Sequence, residues 1–369
     1  MFFWYVLSIY WAPNITYAGK YIFYIFCGIA IAIAVIHFAT TLFKMDALFQ
    51  IMRIIFLIEI MVALLESFTA FRWPISPYSP WLTFFGKEPV SIGTLDNLFV
   101  FSDFFPPTGF HWNTNNLAIT MVMILPFFLC SHKIMAKILG SIAITSIVIL
   151  AASRAVFLGL VIILCFYLLI IKKKVATLSL IWFSVFSLFW GMSQLKESEN
   201  PRINEVANSL TALTLYLKGD IDVGGSLAWR SELVDNGIAA LVESKGLGVG
   251  AGGSVAIQEK IGGVAGRFTS MHNFWIEVLV ESGVIFFSLM VIWYGGIIIN
   301  LFKISKLSND NQVTYYASAL LLTMIGFIPA AIAASSTIYF FPMWIMFGMA
   351  IAIISIYRKA ENIGHNSNQ

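Results

Sequence analysis

The sequence predicts an all-α polytopic membrane protein with about nine or ten transmembrane helices. Hydrophobic residues make up 59% of the 369 residues and charged residues only 11%. The resulting mean hydropathy of +0.85 lies far outside the range of soluble globular proteins. Apolar runs close to the roughly 20 residues that cross a hydrocarbon core recur from one end to the other. The three cysteines lie inside apolar runs without disulfide or metal-site spacing, which indicates small buried hydrophobes.

Nine segments are apolar enough to be spans. They lie near residues 21–43, 54–71, 115–131, 134–152, 155–171, 175–192, 274–301, 313–334 and 337–357. The first eleven residues lack the basic start and the cleavage site of a signal peptide, and are interpreted as the remainder of a tenth span. The sequence is therefore expected to begin with an incomplete span.

The connections between spans predict the orientation, because Lys and Arg concentrate in short cytoplasmic loops. Every second connection is basic: Lys44 with Arg53, Lys133 with Lys137, Lys172 to Lys174, Lys303 with Lys306, and Arg358 with Lys359. With the basic connections on the cytoplasmic side, two long segments face outward. The chain is then divided into three parts. They are transmembrane helices in 1–192 with an outer loop at 72–114, a large extracytoplasmic catalytic loop at 193–271, and C-terminal transmembrane helices with a short cytoplasmic tail in 272–369.

The large outer loop contains one segment with helical periodicity. Its apolar residues predict an amphipathic helix that has Arg230 near its beginning and ends before Gly246. They are Leu227, Leu233, Val234, Ile238, Leu241 and Val242. The run GLGVGAGG that follows is either a flexible turn or a loop that brings backbone N–H groups onto an anion. It lacks the Lys-Ser/Thr of a P-loop, which argues against nucleotide binding.

Three arginines and one histidine share the predicted outer face: Arg154, Arg230, Arg267 and His272. Guanidinium groups bind phosphate oxygens in bidentate fashion and stabilise a diphosphate leaving group without a metal. A neutral imidazole accepts a proton from an attacking hydroxyl near neutral pH. Taken singly, Arg154 is better explained as a snorkelling interfacial arginine and His272 as a cap at a helix start.

Acidic residues supply further candidates. Glu277 and Glu281 are one helical turn apart and either orient an imidazole or bind substrate, while Glu281 also precedes a turn at Gly283. Glu59 and Glu66 are acids inside a span, where ionisable groups usually mark a site, but the sequence names no partner for them. The pair Asp220 and Asp222 has a spacing that holds divalent metals elsewhere; in a loop rich in Gly and Asp, a turn is the better explanation, so no metal site is predicted. The other histidines, His111 among them, make weaker cases.

Four segments together resemble the O-antigen ligase/polymerase superfamily, which includes teichuronic acid polymerase-like proteins. They are PTGFHWNTNNLAITMVMILPFF, ILAASRAVFLGL, AWRSELVDNGIAALVESKGLGVGAGG and MHNFWIEVLVESGVIFF. Their order and approximate spacing are those of the family over residues 107 to 287. The resemblance implies a fold like that of the C-type glycosyltransferases, with a long outer loop above a lateral opening for a polyprenyl carrier. The N-terminal region departs from the family, whose members commonly have additional spans there.

The resemblance implies a role for each matching residue. His272 would be the catalytic base, and Arg154 and Arg230 would bind the diphosphate of the donor. Asn113, Asn116, Glu281 and Arg267 are candidate substrate-binding residues, although the spacing NTNN leaves open which of its asparagines matches, and Arg267 matches no family position.

The predicted function is that of an inverting, metal-independent glycosyltransferase in the bacterial cytoplasmic membrane, with its active site facing outward. It would transfer a glycan from undecaprenyl diphosphate to a hydroxyl of a glycan or lipid acceptor, without a cofactor or a nucleic-acid partner, and other polysaccharide-assembly proteins are candidate partners. Polymerisation of cell-surface repeat units is favoured over ligation to lipid A-core. A transporter or flippase for a carrier-linked or anionic substrate is the alternative of another class; the sequence shows neither inverted repeats nor obviously broken paired helices to favour it.

Overall fold

The computed structural model describes residues 2–89, 106–171, 226–264, 269–334 and 338–366, and the regular elements in these ranges are helices. The α-helices are α1 (Phe2–Leu7), α2 (Ile15–Phe38), α3 (Leu42–Phe68), α4 (Thr114–Leu129), α5 (Ile134–Leu150), α6 (Arg154–Phe166), α7 (Ser226–Glu243), α8 (Gly253–Lys260), α9 (Phe274–Leu307), α10 (Asn311–Ala330) and α11 (Phe341–Asn366). Two 3₁₀ helices, Ser8–Tyr10 and Pro80–Phe85, and a π-helical turn, Tyr167–Ile171, complete the described elements.

Six of these helices are long and apolar enough to cross a membrane: α2, α3, α6 with its π-helical turn, α9, α10 and α11. Helices α4 and α5 are apolar but shorter. Eight of the nine predicted spans thus correspond to helices, and the ninth, 175–192, lies outside the described residues. The prediction of an all-α polytopic membrane protein is confirmed.

The first two spans begin earlier than predicted. Helix α2 begins at Ile15 because the Asn14 side chain caps it, accepting hydrogen bonds of 2.9 and 3.1 Å from the N–H groups of Thr16 and Tyr17. Helix α3 begins at Leu42, so Lys44 and Arg53 lie within a helix and not in a connection. The interpretation of this pair as a loop was wrong because long charged side chains favour a helix and do not end one.

The chain forms two compact units. Unit 1 comprises Met1–Leu48, Asp222–Leu321 and Ala334–Gln369, and unit 2 comprises Phe49–Ile221 and Leu322–Ala333. Helices α3 and α10 contribute residues to both units.

In unit 1, α2 and α11 pack closely where a helix has a glycine. A Cβ at Gly28 would lie 2.3 Å from the indole of Trp344, and a Cβ at Gly348 would lie 2.8 Å from the Cβ of Val35. Small residues let membrane helices approach each other in this way. Helix α11 therefore lies directly against α2.

In unit 2, α4 is buried on all sides from Asn116 to Phe127. Its apolar surroundings include a close contact between α6 and α10, where a Cβ at Gly159 would meet the carbonyl oxygen of Gly326 at 2.7 Å. The Thr323 hydroxyl of α10 also donates a 2.7 Å hydrogen bond to the carbonyl oxygen of Met123. A helix that is apolar all round is suited to this central position.

Helix α7 forms where the sequence predicts an amphipathic helix and ends before Gly246. Its predicted apolar stripe is correct for Leu233 and Leu241, which are buried. It is wrong for Val242, whose side chain is 70% exposed. The 100° turn between consecutive helical residues places the neighbours Leu241 and Val242 on different faces, so they cannot both point inward.

Helix α9 is broken at Gly283, which has φ of 79° and ψ of 171° inside the helix. Only glycine adopts this region of the backbone map readily. A turn at Gly283 was one of the explanations that the sequence offered for Glu281, and the structure has it. The break matters for the candidate site because α9 begins immediately after His272 and Asn273.

Candidate functional site

His272 is held in an unusual backbone conformation at the start of α9. Its φ of 48° is left-handed, a region that is uncommon for residues other than glycine. The following residue, Asn273, caps α9, and its side chain accepts hydrogen bonds from the N–H groups of Trp275 and Ile276. Such strained positions concentrate at functional sites, where the surrounding structure enforces them.

The residue before His272 is anchored in the interior of unit 1. Met271 is 1% exposed and packs in a buried cluster with Val249 and Val280. On α7, a Cβ at Gly237 would lie 2.5 Å from the Met271 methyl carbon. Buried Met271 and capping Asn273 together fix the backbone of His272 from both sides.

Arg230 of α7 acts on His272 electrostatically. Burial, followed by the positive charge of Arg230, lowers the pKa of His272 to about 4. The imidazole is therefore neutral at pH 7 and has a nitrogen lone pair that accepts a proton. The structure thus brings together two of the residues singled out by the sequence, Arg230 and His272.

The glycine loop between α7 and α8 docks into the break in α9. The N–H groups of Val249 and Gly250 donate to the carbonyl oxygens of Val280 and Glu281 at 2.9 and 3.0 Å. In return, the N–H of Val284 donates to the carbonyl oxygen of Gly246 at 2.9 Å. The loop therefore supplies the backbone partners that an unbroken helix would have supplied itself, as irregular backbone within a membrane protein requires.

The polar group that this loop faces is an acidic side chain of the same protein. The Glu281 carboxylate is 1% exposed and accepts a 2.7 Å hydrogen bond from the Ser254 hydroxyl. The backbone N–H groups of Gly252 and Ser254 also interact with it. The glycine run therefore contacts an internal carboxyl group of α9, and its contact with a substrate anion stays a prediction.

The N-terminal segment closes over the same region. The Trp4 indole donates a 2.8 Å hydrogen bond to the carbonyl oxygen of Ser282, and the Trp11 indole donates to that of Gly248 at 3.1 Å. The N–H of Ala251 donates to the Ser8 hydroxyl at 2.9 Å. These contacts make the residues before α2 part of the support for the α9 break, which no feature of the sequence predicts.

Tyrosines surround the two acids of α9. The Tyr21 hydroxyl donates a 3.2 Å hydrogen bond to Glu277, which is 1% exposed. Burial, followed by the charges of Glu281 and Glu277, raises the pKa of Tyr5 well above its usual value. Burial, followed by the charge of Glu277, raises the pKa of Tyr339 to about 12. Tyr5 and Tyr339 therefore stay protonated at neutral pH.

An apolar cavity of about 350 Å³ lies in unit 1 among α2, α9 and α11. Its wall includes Phe274 and Trp275, the first two residues of α9, together with Trp293, Trp344 and Phe347. The cavity thus begins two residues along the chain from His272. Its composition suits a hydrocarbon chain.

The remaining candidate residues belong to unit 2. Arg154 is the first residue of α6, and its Nη1 is buried without a hydrogen-bond partner in the described part of the chain. Asn113 caps α4, and its side chain accepts a 2.7 Å hydrogen bond from the N–H of Asn115. Asn116 is buried, and its side-chain oxygen lacks a donor among the described residues. Arg267, Asp220 and Asp222 lie outside the described residues.

The two acids inside the second span have partners that the sequence does not reveal. Glu66 accepts hydrogen bonds from the N–H groups of Trp73, Thr108 and Gly109 at 2.8, 2.7 and 2.7 Å. Glu59 lies 2.9 Å from the imidazole of His111. A signal was present, because Glu59 and Glu66 are seven residues apart and lie on the same face of a helix. Trp73 is seven positions from Glu66, but Thr108, Gly109 and His111 are more than 40 positions from the acids that they contact.

The fold and site define the class as a multi-spanning helical membrane protein. At the start of its broken helix, a neutral imidazole lies beside a guanidinium. Residues 139–291 match the O-antigen ligase family. The chain is 20% identical over 279 residues to the teichuronic acid biosynthesis protein TuaE of Bacillus subtilis (strain 168), an alignment that covers 70% of this chain and 54% of that protein. The chain spans about half the length of this curated relative. Both similarities agree with the resemblance that the four sequence segments indicate.

Proposed function

We propose that this protein is a membrane glycosyltransferase that moves a glycan from undecaprenyl diphosphate to an acceptor hydroxyl on the outer face of the bacterial cytoplasmic membrane. The observation that carries the proposal is the half-buried His272, neutral at pH 7 and beside the positive charge of Arg230. Such a pair combines a proton acceptor with an anion-binding group, which are the two functions that this transfer needs.

In the proposed reaction, His272 takes the proton of the acceptor hydroxyl while the hydroxyl oxygen attacks the anomeric carbon of the donor sugar. A new glycosidic bond forms, and the bond between that carbon and the diphosphate oxygen breaks. The leaving diphosphate takes the electron pair, and Arg230 stabilises its charge; the family resemblance implies the same role for Arg154. Because this is one displacement without a covalent intermediate, the anomeric configuration is inverted.

Arg230 has a second effect in this scheme. Without substrate, its charge opposes protonation of His272. A diphosphate bound to Arg230 supplies negative charge at the same place and raises the pKa of the imidazole. His272 would therefore become a stronger base only when the donor is bound.

The remaining features of unit 1 fit a carrier lipid. The apolar cavity lined by Phe274 and Trp275 is suited to part of an isoprenoid chain. His272, which is close to the charge of Arg230, lies just before α9 begins. An undecaprenyl tail must stay in hydrocarbon with its diphosphate at the interface, so a site at the end of a span meets both requirements.

Polymerisation of repeat units is favoured over ligation to lipid A-core. The similar protein from Bacillus subtilis is a teichuronic acid biosynthesis protein. The two activities use the same chemistry and differ in the acceptor. Incubation with carrier-linked repeat units, with and without lipid A-core, distinguishes them by which acceptor gains sugar.

The test is transfer by the purified full chain in proteoliposomes, followed as lengthening of carrier-linked oligosaccharide. We expect His272→Ala, Arg230→Ala and Arg154→Ala each to abolish lengthening while the protein remains folded and membrane-inserted. The matched controls are His132→Ala and Arg53→Ala, which remove an exposed imidazole and an exposed guanidinium and should leave transfer unchanged. Full transfer by His272→Ala would exclude it as the base.

Two further outcomes separate the alternatives. Movement of the carrier-linked substrate across the bilayer without a new glycosidic bond would support a transporter instead. Loss of transfer in EDTA with recovery on adding a divalent cation would overturn the metal-independent mechanism and direct attention to Asp220 and Asp222.

A further inference from the structure

Unit 2 contains a second polar centre, which the proposed transfer reaction does not use. Four side chains form it: Glu59 of α3, His111 just before α4, and Asn116 and Thr120 of α4. The Nε2 atom of His111 lies 2.9 Å from Oε1 of Glu59 and 2.9 Å from the Thr120 hydroxyl. Asn116 is one turn from Thr120 and accepts a 3.1 Å hydrogen bond from it through its backbone carbonyl. The exposed fractions of Glu59, Thr120 and Asn116 are 3%, 1% and 9%.

Two acceptors in this centre lack donors. The Oε1 atom of Glu59 and the side-chain oxygen of Asn116 are buried, and neither has a hydrogen-bond partner in the described ranges. The Nε2 atom of His111 is 2.9 Å from Glu59 Oε1, but it is equally close to the Thr120 hydroxyl and has at most one hydrogen to donate. Buried oxygen acceptors are nearly always paired in folded proteins, and each exception calls for an explanation.

The chemistry of these atoms indicates which ligand would satisfy them. Both need hydrogen-bond donors, which rules out a phosphate group, because a phosphate offers mainly acceptors and would be repelled by Glu59. A sugar ring supplies several hydroxyl groups, each of which donates and accepts. Trp112, the neighbour of His111, is 45% exposed. The Lys87 ammonium lies 4.1 Å from the centre of its ring, so at most one ring face is open to the C–H face of a sugar.

We propose that Glu59, His111, Thr120 and Asn116 bind the hydroxyl groups of a sugar ring in the glycan substrate. The inference rests on the proposed function for the identity of the substrate, and it adds a subsite that recognises the sugar. Glu59 and Asn116 accept hydrogen bonds from sugar hydroxyls. His111 and Thr120 form hydrogen bonds with other hydroxyl groups of the same ring. The side chains of this subsite bind and select the glycan, and they take no part in bond formation.

Glu66 is a matched comparison for a purely structural role. It lies two turns from Glu59 on the same helix. Like Glu59, it contacts the segment of the chain that precedes α4. Each of its carboxylate oxygens accepts at least one backbone N–H, from Trp73 on one side and from Thr108 and Gly109 on the other. A residue that only ties this segment to α3 should therefore behave like Glu66.

The experiment measures binding and stability separately in the full chain reconstituted in nanodiscs. The probes are the oligosaccharide repeat unit released from its carrier by mild acid, and undecaprenyl diphosphate without sugar. We expect Asn116→Leu and His111→Gln to weaken oligosaccharide binding about tenfold, the size of one lost hydrogen bond of moderate strength. Binding of undecaprenyl diphosphate should stay unchanged, and KM for the carrier-linked glycan should rise with little change in kcat.

Thermal stability gives the contrasting readout. Asn116→Leu replaces an unsatisfied buried acceptor by an apolar group of similar size, so the melting temperature should stay the same or rise. Glu66→Gln should lower the melting temperature and leave the oligosaccharide affinity of the folded protein unchanged.

Three results would overturn the subsite: wild-type oligosaccharide affinity in both variants, equal loss of undecaprenyl diphosphate binding, or loss of stability in Asn116→Leu matching that in Glu66→Gln. A failure of the proposed function looks different. In that case the wild-type protein binds the oligosaccharide, the variants bind it less tightly, and no glycan is transferred.

Discussion

The hydroxyl of Ser254, at the start of α8, donates a 2.7 Å hydrogen bond to the buried carboxylate of Glu281 in α9. Glu281 directly precedes the break in α9, and the glycine loop between Ser254 and α7 fills that break. This one contact therefore joins α8 and the loop to the helix that begins after His272. Removal of this hydrogen bond should weaken the support of the candidate site and leave direct substrate contacts in place.

Replacement of Glu281 by alanine should be more damaging than replacement of Ser254. Glu281→Ala leaves the hydroxyl of Ser254 and the N–H groups of Gly252 and Ser254 without their acceptor, at a cost of about 2–4 kcal/mol. Ser254→Ala removes one donor and should cost about 1 kcal/mol. Thermal unfolding in detergent measures both, and equal stability of Glu281→Ala and wild type would contradict this role.

Gly283 should tolerate no side chain. A Cβ there would lie 2.3 Å from the carbonyl oxygen of Leu247, and the φ of 79° is itself unfavourable for alanine. We expect Gly283→Ala to lower the free energy of unfolding by about 3 kcal/mol or more, since backbone strain and a clash add. Thermal unfolding and membrane yield report the loss.

The same helix supplies the control for that substitution. Gly295 and Gly296 have no atom within 4 Å of an added Cβ. Gly295→Ala and Gly296→Ala should leave stability unchanged or increase it by about 0.5–1 kcal/mol, because alanine favours a helix. A comparable loss in all three variants would mean that the break at Gly283 has no special importance.

Two asparagine caps separate stability from function. Asn14 and Asn273 cap α2 and α9 in the same way, each accepting two backbone N–H groups. Asn14→Ala and Asn273→Ala should each lower stability by about 1 kcal/mol. Only Asn273 adjoins His272, so transfer per folded molecule should fall in Asn273→Ala and stay near wild type in Asn14→Ala. Equal transfer by the two variants would show that the cap does not position the base.

The titration of His272 should lie well below that of an ordinary histidine. In the folded protein its pKa is about 4, lowered by burial and by Arg230, whereas the unfolded chain has the usual value of about 6.5. Between these values the unfolded state binds more protons, so the free energy of unfolding falls as the pH drops from 6.5 towards 4. His272→Gln should flatten this part of the stability profile.

Ring-carbon NMR with labelled histidine checks the pKa directly, using His272→Gln to assign the signal among the five histidines. Arg230→Gln should move the titration of His272 upward, because it removes the second cause of the shift. Undecaprenyl diphosphate should move it in the same direction in the wild-type protein. A titration near 6.5 in the wild type would contradict the burial of the imidazole.

Local sequence signals were sufficient for the helices. Long apolar runs and the helical period of α7 depend on residues close together in the chain, so the spans and the position of α7 followed from them. Boundaries set by charge were less reliable: Lys44 and Arg53 marked no loop, because charged residues extend a helix as readily as they flank one. Motif order was also sufficient to indicate the superfamily.

The sequence by itself determined that the chain is a multi-spanning helical protein and that His272, Arg154 and Arg230 merit attention. Tertiary structure alone decided what each acid contacts: Glu281 the glycine loop, Glu66 the backbone at Thr108 and Gly109, and Glu59 the imidazole of His111. It also decided that α9 breaks at Gly283. The reason is physical, since a buried carboxylate or an interrupted helix is stable only with specific hydrogen-bond partners, and these come from residues far away in the chain.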